Sequence, residues 1–142
     1  MAVHMALLRL RTRGEGEIVD LSDGLAGALR TAGVRDGVLT VFVTGSTAAI
    51  TTMEHEPGGV ADLGELVERL VPRARPGGGD YAHNRLNHDD NAHAHLRASV
   101  IGPSESIPLV GGRLVLGTWQ QVVLIDFDDR PRDRTVIVQV VS

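Results

Sequence analysis

The chain contains no cysteine. A disulfide framework and thiolate chemistry are therefore excluded, and any zinc would have to bind nitrogen and oxygen ligands. Aromatic residues make up only 3% of the sequence, so the core has to be built from Val, Leu, Ile and Ala. No apolar run approaches the roughly 20 residues of a membrane-spanning helix. The opening segment MAVHMALLRLRTRG alternates and carries arginines, and it lacks the long apolar middle of a signal peptide. No basic run is present and the net charge is −4, which gives no electrostatic reason to expect nucleic acid or an anionic membrane as partner. A soluble, cytoplasmic protein is expected.

At 142 residues the length fits one domain, 1–142, with a sizeable core. Met5 to Arg11 and Glu17 to Asp20 read as strands. Ser22 is placed to N-cap a helix that Gly33 stops. VLTVFVT after Gly37 is rich in β-branched residues and predicts a strand, with STAAITTMEHEPGG after Gly45 expected to form another, paired through a tight turn. Asp62 is read as the start of an amphipathic helix carrying Leu63, Leu66, Val67 and Leu70. Residues 72–80 read as a loop. A third helix is expected from about Ala94 to Ile101, ended by Gly102-Pro103. SIPLV, RLVLG, QQVVLIDF and TVIVQVV follow as strands separated by turn signals. Segregated helices and strands imply an α+β fold with a largely antiparallel or mixed sheet and about three helices.

Four of the six histidines crowd one segment, YAHNRLNHDDNAHAHLRAS: His83, His88, His93 and His95. Asp89, Asp90, Asn87 and Asn91 lie among them. Neutral imidazole is the commonest ligand of zinc and similar divalent ions. A metal site or a proton-transfer site is the chemistry this clustering favours over a solvated polar loop. His93 and His95, two residues apart, suit a chelating pair on extended chain, and His83 is far enough upstream to fold back. Three imidazoles with one open position is the layout of a catalytic zinc.

Other residues qualify more weakly. Glu54 is either a general base, a partner that orients a histidine N–H, or a solvated loop acid. Ser46 and Thr47, in a turn, suit phosphate oxygens, although Thr is also ordinary strand chemistry. Arg132 and Arg134 offer the guanidinium fork, or are plain turn arginines. Trp119 suits stacking on a heteroaromatic ring, or anchors a core or an interface. Gln120, polar in an apolar strand, is expected to face a pocket.

GSTAAITTMEHEPG, DDNAHAHLRASVIGPS and GRLVLGTWQQVVLIDFDDRPR together resemble the YjbQ family from about Val38 to the end. The resemblance implies a compact α+β fold and a homotrimer. It also implies a metal held by histidines near the subunit boundary, and secondary thiamine-phosphate synthase activity. On that resemblance His83 takes the histidine of a Tyr-x-His position and His95 that of the AHL motif. Asp90 falls in the acidic run and Glu54 after the first β motif, while Gly117, Thr118, Trp119 and Gln120 form GTWQ. The chain departs at Gly45, where many members carry the histidine of HTSAS, and at His93, where they commonly have proline. His93 is therefore expected to replace the missing ligand.

Two classes of function follow. One is a metal-dependent enzyme acting on a small phosphorylated molecule, with a divalent metal, zinc first, on His83, His93 and His95. Glu54 and Gln120 would serve the chemistry, and Ser46, Thr47, Trp119 and Arg132 the ligand. The other is a non-catalytic metal- or ligand-binding trimer.

Overall fold

The computed structural model describes residues 1–142. Its elements are β1 (Val3–Thr12), β2 (Glu17–Asp20), α1 (Ser22–Ala32), β3 (Gly37–Thr44), β4 (Ala48–Met53), α2 (Pro57–Leu70), α3 (Ala82–Asn87), α4 (Ala92–Ile101), β5 (Ser104–Val110), β6 (Arg113–Leu114), β7 (Gln121–Asp126) and β8 (Arg132–Val141). Two antiparallel sheets form: a five-stranded one in the order β1-β8-β3-β5-β6 and a three-stranded one in the order β2-β7-β4. The α+β expectation holds, with a fourth helix, α3, in the histidine-rich segment, where no element is expected.

The sheets face each other across a core that contains Leu39, Val41 and Val43 of β3, Val122 and Leu124 of β7, and Val136, Val138 and Val140 of β8. Leu21 and Leu25 close it from the α1 side. A second cluster lies on the far face of the small sheet. There Ala49, Val123 and Ile125 pack against Ala94 and Ala98 of α4, with Leu63 and Val67 of α2 alongside. The result is three layers: large sheet, small sheet, helices. β7 is covered on both faces, so Val122 to Asp126 is a continuous buried run instead of an alternating one. No helix is long and apolar enough to cross a membrane.

Several local expectations are corrected. The β4 segment does not pair with β3; it pairs with β7, in the other sheet. The chain switches sheets at Gly45–Thr47, so what reads as a hairpin is a crossing between layers. The second helix begins at Pro57, not Asp62. Its N-cap is Glu56, whose carboxylate accepts from the Gly58 and Gly59 N–H groups while Pro57 supplies the preset φ. Ser22 is not an N-cap. It is the first helical residue after Leu21, and its N–H donates to Asp20 at 2.8 Å. Gly33 does end α1, in a left-handed conformation at φ 65°.

The outer face of the large sheet has no cover. Val3, Met5 and Leu7 of β1 lie in register with Val141, Gln139 and Ile137, and those in turn with Val38, Thr40 and Phe42 of β3. Val3, Met5, Leu7, Val38 and Phe42 are all exposed, and the registers make them one patch.

Candidate functional site: a histidine pair on the helical layer

Asn84 builds the site. It is buried on α3, its Oδ1 accepts the Ala92 N–H at 3.0 Å, and its Nδ2 donates to Asp80 at 2.8 Å. The first free N–H of α4 is thus capped from the neighbouring helix. That link holds α3 against α4 and brings His83 beside His95, with ring centroids 4.6 Å apart and planes tilted by 42°. Nδ1 of His83 and Oδ1 of Asn91 are buried with no hydrogen-bond partner. Buried polar atoms are nearly always paired, so each such atom calls for an account; His93 Nδ1 and Asp129 Oδ1 are the other two in the chain.

His93 does not join them. α4 begins at Ala92, so His93 and His95 stand on helix, not on extended chain. Two positions apart on a helix are about 200° apart around the axis and face away from each other. His95 turns to α3, and Ala94 and Ala98 turn to the sheet. His93 and Arg97 turn to α2 instead, lining a cavity of about 240 Å³ with Glu68, Arg73 and Glu15. Within one chain no group of three His, Asp or Glu side chains is placed to hold a metal. The compensation expected of His93 therefore fails for a geometric reason: the helix begins two residues earlier than its pattern suggests.

Gly45 closes the other half of that argument. Its φ is +131°, and a Cβ there would lie 2.8 Å from Nη1 of Arg134. Both backbone and neighbour favour glycine at this position, so a histidine here would be strained.

His93 is only 2% exposed. Burial, then the nearby Arg97 and Arg73, hold its imidazole below the ordinary range of histidine. The folded chain thus keeps His93 neutral where the unfolded chain takes a proton. Stability is intact above the unfolded value near 6.5 and is lost as pH falls from there toward the folded value. We expect the urea midpoint to fall between pH 7 and pH 5, and His93→Gln to flatten that slope. An unchanged slope in the variant would assign the pH dependence to another group.

The remaining candidates are divided between the two ends of the β4–β7 pair. Thr47, Asp126, Asp128, Arg132 and Arg134 sit at one end, Glu54 and Gln120 at the other. The six residues of β4 separate Thr47 from Glu54, a span of roughly 20 Å. Thr47 is not free to bind phosphate: it is buried, its hydroxyl donates to Asp128 at 2.9 Å, and it accepts from Arg134 at 2.7 Å. Arg132 is engaged with Asp128 at 2.6 Å. Ser46 is exposed, as is Glu54. Gln120 is exposed. It ties the GTWQ turn to β4, accepting from Gly117 N–H at 3.1 Å and donating to Thr52 at 3.0 Å. Trp119 is 71% exposed, which removes the core reading. His88 is exposed, in a left-handed conformation at the end of α3.

What sequence reasoning missed is the buried charge cluster. Arg134 bonds Asp126 through Nε and Nη2, both at 2.7 Å, and Thr12 also donates to Asp126. Burial pushes the Asp126 and Asp128 carboxyls up, but the guanidinium and hydroxyl hydrogen bonds more than offset it and both lie below the ordinary range. The signal was present: two acids in the apolar run LIDFD and a basic pair in RPRDR.

These features define an antiparallel two-sheet α+β protein whose helical layer carries a paired-histidine site. The chain belongs to the YjbQ family: the family model described as UPF0047 protein YjbQ-like matches residues 6–142. A UPF0047 protein of Methanothermobacter thermautotrophicus is 36% identical over 140 residues, covering 99% of this chain and 93% of that one. One from Archaeoglobus fulgidus is 39% identical over 132 residues, covering 93% and 97%. Among solved structures, the hypothetical protein APE1520 of Aeropyrum pernix superposes with a TM-score of 0.87 at 35% identity, over 98% of both chains. A YbjQ-like protein of unknown function from Sulfolobus solfataricus gives 0.85 at 30%, also over 98% of both.

Proposed function

We propose that the protein is a metal-dependent enzyme acting on a small phosphorylated molecule, with the His83–His95 pair as the metal-binding centre. The observation that carries this reading is the pair itself: two imidazoles in contact, one with a buried, unpartnered nitrogen. Two imidazoles on one tetrahedral zinc would have ring centres roughly 5 Å apart, from Zn–N distances near 2 Å. The 4.6 Å separation fits two ligands of such a site. The rest of the coordination shell comes from outside this chain, from water, substrate or a neighbouring subunit. When bound, the metal supplies a Lewis acid for a substrate oxygen. His83 and His95 bind and orient it. Asn84 fixes the angle between their helices. Thiamine-phosphate synthesis is the reaction we would assay first, on the strength of the family resemblance.

Metal analysis of protein purified without a His tag tests the centre. Zinc or another transition metal near one per chain is expected. Metal-free protein that also refuses added zinc, cobalt and manganese overturns it. The competing class is a metal- or ligand-binding protein without catalysis, supported by the exposed position of Glu54, far from the Thr47 end. Metal bound in full with no turnover of any phosphorylated substrate would favour that class.

We infer further that the chain works as a homotrimer. Its support is the uncovered apolar face of the large sheet, since soluble chains rarely leave so continuous a patch bare. Light scattering at micromolar concentration should give a mass near three chains, and Phe42→Glu, at one end of the patch, should lower it. A single-chain mass for the parent protein removes both the trimer and any ligand shared between subunits.

A further inference from the structure

We propose that the groove between α1 and the β5–β6 turn is a second binding site, one that takes a small amphipathic anion: an apolar body carrying one carboxylate or phosphate. It lies across the small sheet from the histidine pair, because Val122 points into it while the adjacent Val123 packs against α4. The inference therefore stands apart from the metal reading. The cavity measures about 540 Å³, within the range of small-molecule sites. Leu25, Leu29, Leu114, Leu116 and Val122 form its apolar floor, and Leu25 and Val122 are core residues, so that floor is rigid.

The rim supplies the charge. Arg30, Arg35 and Arg113 line the cavity, and no Asp or Glu does. None of the three takes part in an ion pair in the folded chain; of the other eleven arginines seven do, while Arg9, Arg69, Arg75 and Arg85 do not. The chain segments that carry two of the three rim arginines are tied together through the backbone. The Gly112 N–H donates to the Arg35 carbonyl at 2.7 Å, which ties the turn preceding Arg113 to the loop after α1. Asp36, the nearest acid in sequence, is occupied in that turn, accepting the Gly111 N–H at 2.9 Å. Arg30 alone has an ordinary explanation, as a cation in the last turn of a helix. That explanation does not reach Arg35 or Arg113. Three unpaired guanidiniums over an apolar floor, in a chain of net charge −4, form a local device and not a general basicity. Guanidinium forks match carboxylate and phosphate oxygens, and the Leu and Val floor matches an alkyl or aryl body.

Calorimetric titration with octanoate, octyl phosphate and octanol tests this. At least one of the two anions should bind with a Kd of about 100 μM or tighter, and octanol at least ~10-fold more weakly. Which anion binds tighter distinguishes a carboxylate from a phosphate ligand. Arg35→Ala and Arg113→Ala should each weaken the anion by about 3-fold or more. Ala26→Trp, at an exposed rim position where the fold is safe, should block it. Octanol binding as tightly as the anions, arginine variants that bind unchanged, or no binding up to about 1 mM would each overturn the site. So would an Ala26→Trp variant that changes only the assembly mass, since a second copy of the chain would then be the occupant.

Discussion

Arg134→Met should cost the protein about 3–5 kcal/mol of unfolding free energy, the usual loss when one partner of a buried ion pair is removed. Arg134 is the hub of the layer crossing. Its guanidinium bonds both oxygens of Asp126 and the Thr47 hydroxyl, and it sits 3.7 Å from Asp128. Asp126 and Asp128 are 0% and 1% exposed. Without the guanidinium Asp126 must stay charged and unpaired or take up a proton, and either costs free energy. For a chain of this length that corresponds to a drop in Tm of roughly 10 °C or more. Urea unfolding at one fixed protein concentration measures it. A loss under about 1 kcal/mol would show that water enters the cluster and solvates the acids. Pairing Arg134→Met with Asp126→Leu should recover part of the loss, because the stranded charge is then gone.

The same cluster sets the acid limit. The folded-state carboxyls of Asp126 and Asp128 lie below their unfolded values. Their contribution is complete above the unfolded value near pH 4 and disappears as pH falls through the folded values. Asp129 works the other way: its neighbour Asp128, then burial, raises its carboxyl, so protonating it favours the fold and offsets part of the loss. The net slope below pH 4 should be shallower in Arg134→Met than in the parent.

Element types were legible wherever one face of a segment is buried and the other is not. β8 alternates residue by residue, and its strand character is plain from TVIVQVV. Partners were not legible. VLTVFVT and AAITTM are neighbours in sequence with a glycine between them, and local chemistry favours a hairpin. At the crossing sit the β4–β7 pairing and the Arg134 cluster, made of residues from both ends of the chain, long-range contacts that no window of sequence contains. The start of α4 failed for a related reason. Asn91, just before Ala92, makes no side-chain cap bond, and the N–H that matters is capped by Asn84 from α3. The histidine cluster was legible as chemistry, whereas its division into a pair and a separate buried residue depended on those two residues of helix.

That division makes the sharpest test of the site. His83→Ala and His95→Ala should each lower zinc affinity by about 100-fold or more, near 2.7 kcal/mol, as expected for loss of a ligand and not of a supporting group. His93→Ala should change it by less than about 3-fold, because its imidazole faces Glu68, Arg73 and Arg97 across a different cavity. His88→Ala should do as little, since that side chain is exposed. Competition against a chromophoric chelator, on protein made without a tag, separates the four. Sequence pattern alone put His93 on a par with His83 and His95, so the two expectations oppose each other at one residue. A loss in His93→Ala equal to that in His95→Ala would mean that α4 unwinds its first turn on binding metal and turns His93 toward the pair. In that case circular dichroism should record lost helix as zinc is added to the parent protein. With affinity intact in His93→Ala and lost in the other two, the first turn of α4 stays wound, and the ligands beyond the pair must come from water, substrate or a second chain.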